Sequence, residues 1–379
     1  MPQRRFASIH VVGTNGKSSV TTIAAALLEA SGIPAGAYIS PHAERWTERL
    51  LIGGTEIEPD VFARAVDRVA QTIPAVERGL EPDDSVTQFE AVTAAAFVAL
   101  ATARVEVGVI EAGLGGRLDA TNVLHSRVTA LTSVGLEHTQ WLGSTEAEIA
   151  AEKLAVLRHH SVLVVGALKP GVRRLAERTA SERHALLVDA GDPAQLPGLE
   201  GRAPYLRRNF AVARAAVEAV AGPLSRELVE GVAERLELHG RMELVPGDPP
   251  AVLDAAHNPD GARALAEALG EMAGEGPLVA CLAVLADKDA PALIAELAPR
   301  LDAAVLTELP ATELAGAGRP VTSTHDAGQL AAIARAAGIR DVEVIRDPDV
   351  AVARARELAR ERNGVALVSG SHYLLGHGS

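Results

Sequence analysis

The chain has 379 residues, 48% of them hydrophobic and 22% charged, with a formal net charge of −13 and a single cysteine. That length accommodates two ordinary domains, and the apolar content is that of a globular protein rather than a disordered one. The acidic balance excludes a protein built mainly to hold nucleic acid, the lack of any run near ~20 apolar residues excludes a membrane-spanning helix, and one cysteine excludes an internal disulfide.

In chain order, "MPQRRFASIHVV" runs straight into a strand without the apolar stretch and small-residue cleavage site of a signal peptide, so the cytoplasm is the expected compartment. "SIHVV" is followed by "GTNGKSS" and then by "SSVTTIAAALLEASG", which is a strand, a glycine loop and a helix start. The helix places Val20, Ile23, Leu27 and Ala30 on one face and ends at Gly32. The loop looks like a phosphate-binding loop of the form G-x-x-x-x-G-K-[ST], except that Val11 stands where the first glycine belongs. The context still suits phosphate. Backbone N–H groups at a helix start are unpaired and partly positive, Gly13 and Gly16 permit close approach, Lys17 adds a full charge, and Ser18 or Ser19 offers a hydroxyl. A plain glycine turn with an incidental lysine is the other reading.

Further strands are predicted at "VEVGVIEAG", "VTALTSVG", "SVLVVGAL", "AVLDAA", "LVACLAVLA", "AAVLTEL" and "VALVSGS", alternating with alanine- and leucine-rich helical stretches. This is the pattern of an α/β protein with a mainly parallel sheet flanked by helices. Glu111 ends an apolar strand, where such sheets bind ligands and where a carboxylate is costly unless it meets a cation. His138 follows "VTALTSVG", so Glu111 and His138 are expected to meet across neighbouring strands. Thr145 and Glu148 form a capping box for a helix of about a dozen residues. On it Ile149, Lys153, Val156 and Leu157 share a face, and a lysine amid that apolar face is either a snorkelling side chain or a functional one. Near "LELHGRMELVPGDPP" a helical segment ends and Gly240 breaks the chain, which predicts domains over 1–240 and 241–379, the second a smaller α/β sheet domain. Cys281, within "LVACLAVLA", reads as a small buried hydrophobe in a reducing compartment.

"GTNGKSS" resembles the shorter ATP loop of the Mur ligase superfamily. Together with "YISPHAERWTERLLIGG", "TQFEAVTAAAF", "VGVIEAGLGGRLDATNVL", "TSVGLEHTQWLG", "AAEKLAVLR", "RRNFAVARAA", "HGRMELV", "VLDAAHNPDGARALAEAL", "VLADKD" and "VSGSHYLLG", it makes the chain similar almost end to end to the folylpolyglutamate synthase/dihydrofolate synthase family. The resemblance implies a Mur ligase-like central ATP-binding domain and a C-terminal glutamate ligase domain. The implied activity is ATP-dependent joining of L-glutamate to dihydropteroate or a folate through an acyl phosphate. It implies ATP contacts at Thr14, Asn15, Gly16, Lys17, Ser18, Ser19, Asn209, Arg241 and Asp254, with domain closure bringing Arg241 to the phosphates. It implies Mg²⁺, as two ions, at Ser40, Glu111 and His138, although an imidazole is an unusual ligand for Mg²⁺ and His138 also reads as a loop or core histidine. Lys153 is expected to be carbamylated by CO₂, which needs the neutral amine, and Lys17, Lys153 and His257 are the candidate catalytic residues. Thr87, Gln88, Phe89 and Glu90 with Leu118, Asp119 and Ala120 are the implied pterin contacts. Phe89 reads equally as a core residue, the glycine-rich stretch "GLGGRLDATNV" as a plain loop, and Asn258 before Pro259 as a helix cap.

Small-molecule substrates, no nucleic acid, no membrane and a monomer are expected. Two departures qualify the resemblance: the family's helical segment ahead of the ATP loop has no counterpart in the 12 residues before Gly13, and Ser18 stands where folate-family loops carry glycine. The first is expected to weaken pterin binding, raising KM more than it lowers kcat. A cell-wall Mur ligase is the first alternative, disfavoured because those proteins carry an additional N-terminal nucleotide-sugar domain. A non-catalytic nucleotide-binding regulator is the second, disfavoured because a switch needs no second metal-ligating group.

Overall fold

The computed structural model describes residues 1–42, 45–272, 276–315 and 323–378. The chain divides into two compact units, residues 1–200 with 206–236, and residues 201–205 with 237–378.

Among the described residues, the first unit is built on an eight-stranded sheet of β1 (Ala7–Val12), β2 (Ala35–Tyr38), β3 (Leu50–Ile52), β4 (Thr55–Glu56), β5 (Val107–Glu111), β6 (Val128–Leu131), β7 (Val162–Val165) and β8 (Leu186–Asp189). The spatial order is β4-β3-β2-β5-β1-β6-β7-β8, parallel from β2 to β8, with β3 and β4 added antiparallel at one edge. Five of the six residues of β1 and all of β5 and β6 are buried, which requires cover on both faces and explains their mostly apolar sequences.

The second unit's sheet contains β9 (Glu243–Val245), β10 (Ala251–Leu253), β11 (Leu278–Leu282), β12 (Ala303–Leu306), β13 (Asp341–Val344) and β14 (Val365–Ser369), in the order β13-β12-β11-β14-β10-β9. All pairs are parallel except β10 with β9. Alternation along β11 divides the core: Leu278, Ala280 and Leu282 join the apolar cluster on one face, and Val279 and Cys281 join the cluster on the other. Cys281 is fully buried, and burial alone pushes its thiol pKa up.

The structure departs from sequence expectation in several places. β2, β3, β4, β8, β9 and β13 carry too little apolar β-branched sequence to announce themselves, "AGAY" and "DVEV" being examples, and form because a neighbouring strand offers a partner. In the helix Lys17–Ala30, Ala30 is exposed, while Thr21, Ala24 and Leu28 are buried beside Val20, Ile23 and Leu27, so the covered surface is broader than one stripe. Gly32 follows it at φ +77°, as a residue beyond a helix C-terminus often does. The helix begun by the Thr145–Glu148 capping box runs only Glu146–Leu154, leaving the buried Val156 and Leu157 in the following turn. No helix among the described residues is long and apolar enough to cross a membrane.

Close approach fixes at least one glycine in the central strands. A Cβ on Gly108 of β5 would lie 2.7 Å from Cε2 and 2.8 Å from Cδ2 of Phe6, itself 8% exposed. Gly108→Ala is therefore expected to destabilise the first unit by roughly 1–3 kcal/mol through overpacking, read as a lower urea midpoint at unchanged slope.

Candidate active site

The glycine loop joins β1 to the helix Lys17–Ala30, and its backbone is held by the residues that leave β6. Asn15 O accepts from Thr132 Oγ1 at 2.6 Å and from Ser133 Oγ at 3.1 Å, while Asn15 N donates to Ser133 Oγ at 3.0 Å. Thr14 N donates to Ser133 O at 2.8 Å, and Thr14 Oγ1 accepts from Gly135 N at 3.1 Å. Gly16 has φ +84°, and a Cβ there would lie 2.4 Å from Oδ1 of Asn209. Asn209, placed on the helix Pro204–Ala221, thus sits directly against the loop. Lys17 Nζ donates to Thr14 O at 3.2 Å, folded over the loop it is expected to serve. The Ser19 hydroxyl is buried without a hydrogen-bond partner, so of the two serines it is Ser18 that presents its side chain to other groups.

Ser18 Oγ donates to Glu111 Oε1 at 3.1 Å, and Ser40 N donates to Glu111 Oε2 at 3.0 Å. Glu111 is 2% exposed. A buried carboxylate with a hydroxyl and a strand end beside it, one turn into a phosphate-type loop, is a hard-oxygen donor set that suits Mg²⁺. Two expectations about this set change. β5 and β6 flank β1 on opposite sides and are not neighbours, so Glu111 and His138 do not meet across adjacent strands. His138 lies 3.5 Å from Glu137 Oε1 and has φ +49°. Ser40 approaches Glu111 through its backbone.

Lys153 is 2% exposed, and its Nζ donates to Gly13 O at 2.8 Å, so the lysine does not snorkel to the rim. Burial, reinforced by the charge of Lys17, lowers its pKa to about 7, while Glu137 and Asp119 oppose the shift. The amine is thus substantially neutral near neutral pH, which is the form that attacks an electrophile.

The other candidate positions divide into two kinds. Thr87 and Glu90 form a reciprocal cap on the helix Gln88–Ala103, with Thr87 N donating to Glu90 Oε2 at 2.8 Å, and Gln88 is the exposed first residue of that helix. Asp119 accepts from Leu114 N at 2.8 Å and Thr121 N at 2.9 Å, which fixes the glycine-rich turn, and Ala120 begins a short 3-10 helix. These contacts hold backbone. Leu118, by contrast, is 93% exposed, and the Phe89 ring lies against Gly113, where a Cβ would come within 2.4 Å of it. Leu118 and Phe89, like the exposed Leu114 and Val123 of the same loop, are apolar groups that the fold leaves at its surface or half buried.

In the second unit Asp254 follows β10 and accepts from Ala256 N at 2.9 Å and Met242 N at 3.0 Å. Tyr205 Oη donates to the same carboxylate, a partner the sequence reading missed because it lies far away along the chain. Burial raises the pKa of Asp254, opposed by the Arg241 guanidinium, the Tyr205 hydroxyl and the two N–H groups. Arg241 Nη1 donates to Gly240 O at 2.8 Å. His257 Nδ1 lies 2.9 Å from Ala255 O, which makes Nε2 the basic nitrogen of the neutral ring. Asn258 Oδ1 accepts from Gly261 N at 2.8 Å and caps the helix Pro259–Met272.

A strand, a glycine turn with its lysine and a helix N-terminus, followed by a second sheet unit, define an ATP-dependent ligase of the Mur type. Residues 11–195 match the Mur ligase middle domain, and residues 240–372 match the Mur ligase, glutamate ligase domain. The chain is 33% identical over 345 residues to the dihydrofolate synthase/folylpolyglutamate synthase of Mycobacterium tuberculosis, covering 81% of this chain and 71% of the relative. It is similar to the solved structure of Mycobacterium tuberculosis folylpolyglutamate synthase complexed with ADP, with a TM-score of 0.90 at 29% identity, covering 99% of this chain and 90% of that one. The Yersinia pestis bifunctional folylpolyglutamate synthase/dihydrofolate synthase complexed with AMPPNP and a Mn ion gives a TM-score of 0.82 at 30% identity, covering 99% and 89%. The chain belongs to the folylpolyglutamate synthase/dihydrofolate synthase family.

The lowered pKa of Lys153 makes a stability prediction. Between about 7 and the ordinary lysine value near 10.5 the unfolded chain binds a proton that the folded one does not, so stability rises with pH across that window and the full penalty is present below it. In CO₂-free buffer, Lys153→Met is expected to remove this slope and to gain roughly 3–5 kcal/mol on the wild type between pH 10 and pH 6.5, as measured by urea unfolding at several pH values.

Proposed function

We propose that this protein joins L-glutamate to the carboxylate of dihydropteroate or of a folate, with ATP as the energy source. The observation that carries the reading is the assembly of one phosphate-type loop, a buried Glu111 bonded to Ser18 of that loop, and a buried Lys153 on the loop's Gly13 carbonyl. It is supported by membership of a family whose members are named for folate ligation.

A carboxylate does not accept an amine unaided, because it would have to expel an oxide. Attack of a substrate carboxylate oxygen on the γ-phosphorus breaks the γ-phosphate–ADP bond and forms an acyl phosphate. The glutamate amine then attacks the acyl carbon, phosphate departs, and the amine proton passes to a base. This chain's contribution is placement and charge. The backbone N–H groups of Thr14, Asn15 and Gly16 and those opening the helix at Lys17, Ser18 and Ser19 orient phosphate oxygens, and Lys17 neutralises charge as it spreads over the transferring group. Glu111 and Ser18, with Ser40 steadying Glu111, would hold a divalent ion, which supplies charge neutralisation when bound; His138 and a second ion belong to the same proposal. Asn209, against Gly16, and Arg241 and Asp254 of the second unit are proposed as further nucleotide contacts, and the basic Nε2 of His257 as the proton acceptor.

For the other substrate, Phe89 and Leu118 offer apolar surface to a flat heterocycle, while Thr87, Gln88, Glu90, Asp119 and Ala120 position the segments that carry them. Lys153, with its pKa near 7, is proposed to add CO₂: the neutral amine forms the N–C bond, one proton leaves, and the neutral side chain becomes a carbamate anion. A cytoplasmic monomer with domains over 1–240 and 241–379 completes the reading.

Lys17→Ala is expected to lower kcat/KM by about 100-fold or more, measured as glutamate-dependent ADP release with dihydropteroate, dihydrofolate and tetrahydrofolate in turn. ADP release indifferent to glutamate with all three acceptors would sink the ligase reading, and the acceptor giving the highest kcat/KM identifies the preferred substrate. For Lys153, ¹³C-bicarbonate is expected to give a carbamate carbon signal that Lys153→Ala lacks, with the variant's activity partly restored by small carboxylates. An unlabelled wild-type protein with full activity would refute the carbamate.

A further inference from the structure

At the opposite end of the first unit's sheet from the glycine loop lies an open cavity of about 1100 Å³. It is lined at the N-terminal ends of β1, β5 and β6, which places it roughly 17 Å from the phosphate loop along the six residues of β1. Arg4, Arg5, Arg104 and Arg127 line it together with His125, over a floor that includes Phe6 and Val105. The four arginines come from three separate places in the chain, the adjacent Arg4 and Arg5, Arg104 and Arg127, so this is a convergence made by the fold.

Their ion pairing is unlike that of many other arginines in this protein. Arg45, Arg117, Arg173, Arg354 and Arg362 each contact a carboxylate. Among the described residues, none of the guanidinium groups of Arg4, Arg5, Arg104 and Arg127 forms an ion pair or a side-chain hydrogen bond, and Glu106 is the one acidic residue in the lining. In a chain of net charge −13, four unpaired cations around one concavity concentrate positive potential where the rest of the protein is negative. Arginine matters beyond its sign, since its planar fork binds carboxylate and phosphate oxygens in pairs. Arg104 is also held at φ +59°, a left-handed conformation uncommon for any residue but glycine and its close substitutes.

We propose that this cavity binds a small polyanion bearing two or more phosphate or carboxylate groups, at a site separate from the one that binds ATP. The test uses titration calorimetry on the full chain carrying Lys17→Ala, so that the phosphate loop does not report. Two probes, inorganic tripolyphosphate and penta-γ-glutamate, distinguish a phosphorylated ligand from a polycarboxylate. At ~0.1 M salt at least one is expected to bind one-to-one, with affinity falling as salt rises, and the combined Arg4→Gln, Arg104→Gln and Arg127→Gln changes are expected to weaken it at least 10-fold. These side chains are exposed, so the thermal midpoint is expected to hold, and in the protein that keeps Lys17 the same changes should leave ADP release intact. Arg104→Lys, which keeps the charge and loses the fork, should give an intermediate loss. Failure of both probes to bind, or binding that survives the triple change, overturns the proposal, and neither result bears on the ligase reading.

Discussion

The grip of β6 on the glycine loop is the interaction on which the rest of the candidate site depends. Thr132 and Ser133 bond Asn15 O from two sides, and a Cβ on Gly13 would stand 1.9 Å from Thr132 Oγ1. A side chain at position 13 would push the loop off the strand end, and the direction of the following helix with it. Because the unpaired N–H groups at that helix start converge on one point only if the loop keeps its path, the glycine is a geometric requirement of the loop. The same grip aligns Gly13 O for Lys153 and brings Ser18 to Glu111, so glycine loop, carboxylate and buried lysine are parts of one construction.

Three buried ionisable groups, Glu111, Lys153 and Asp254, would each be costly in a core without partners. At Lys153 and Asp254 the hydrogen-bond partners are neutral: a carbonyl at Lys153, a phenol and two N–H groups at Asp254. Neutral partners satisfy hydrogen bonds without fully compensating charge. Such groups remain responsive to an arriving cation, anion or CO₂, and the direction of the shifts at Lys153 and Asp254, both away from the charged form, expresses that.

Much of the site was legible because local rules govern it. A strand, glycines and a lysine before a helix are contiguous, the Thr145–Glu148 and Thr87–Glu90 capping boxes lie within four residues, and an acidic residue ending an apolar run stands out alone. The reading erred where the answer lay across the sheet. Glu111 and His138 follow two strong strands, yet the strand order sets β1 between those strands, and nothing in either segment specifies its neighbour. Tyr205 could not have been found, since its partner Asp254 is 49 residues away and no spacing rule connects them.

The sequence by itself determined the α/β class, the phosphate-type loop, the helix caps and the family, because periodicity, capping and motif order are carried by short contiguous stretches. Only the tertiary structure decided that Lys153 is buried on Gly13 rather than reaching for solvent, that Ser40 meets Glu111 through its backbone, and that arginines from three distant parts of the chain surround one cavity. The physical reason is that burial and pKa are set by everything packed around a group. Those neighbours are chosen by strand order and register, which residues far apart in the chain select jointly.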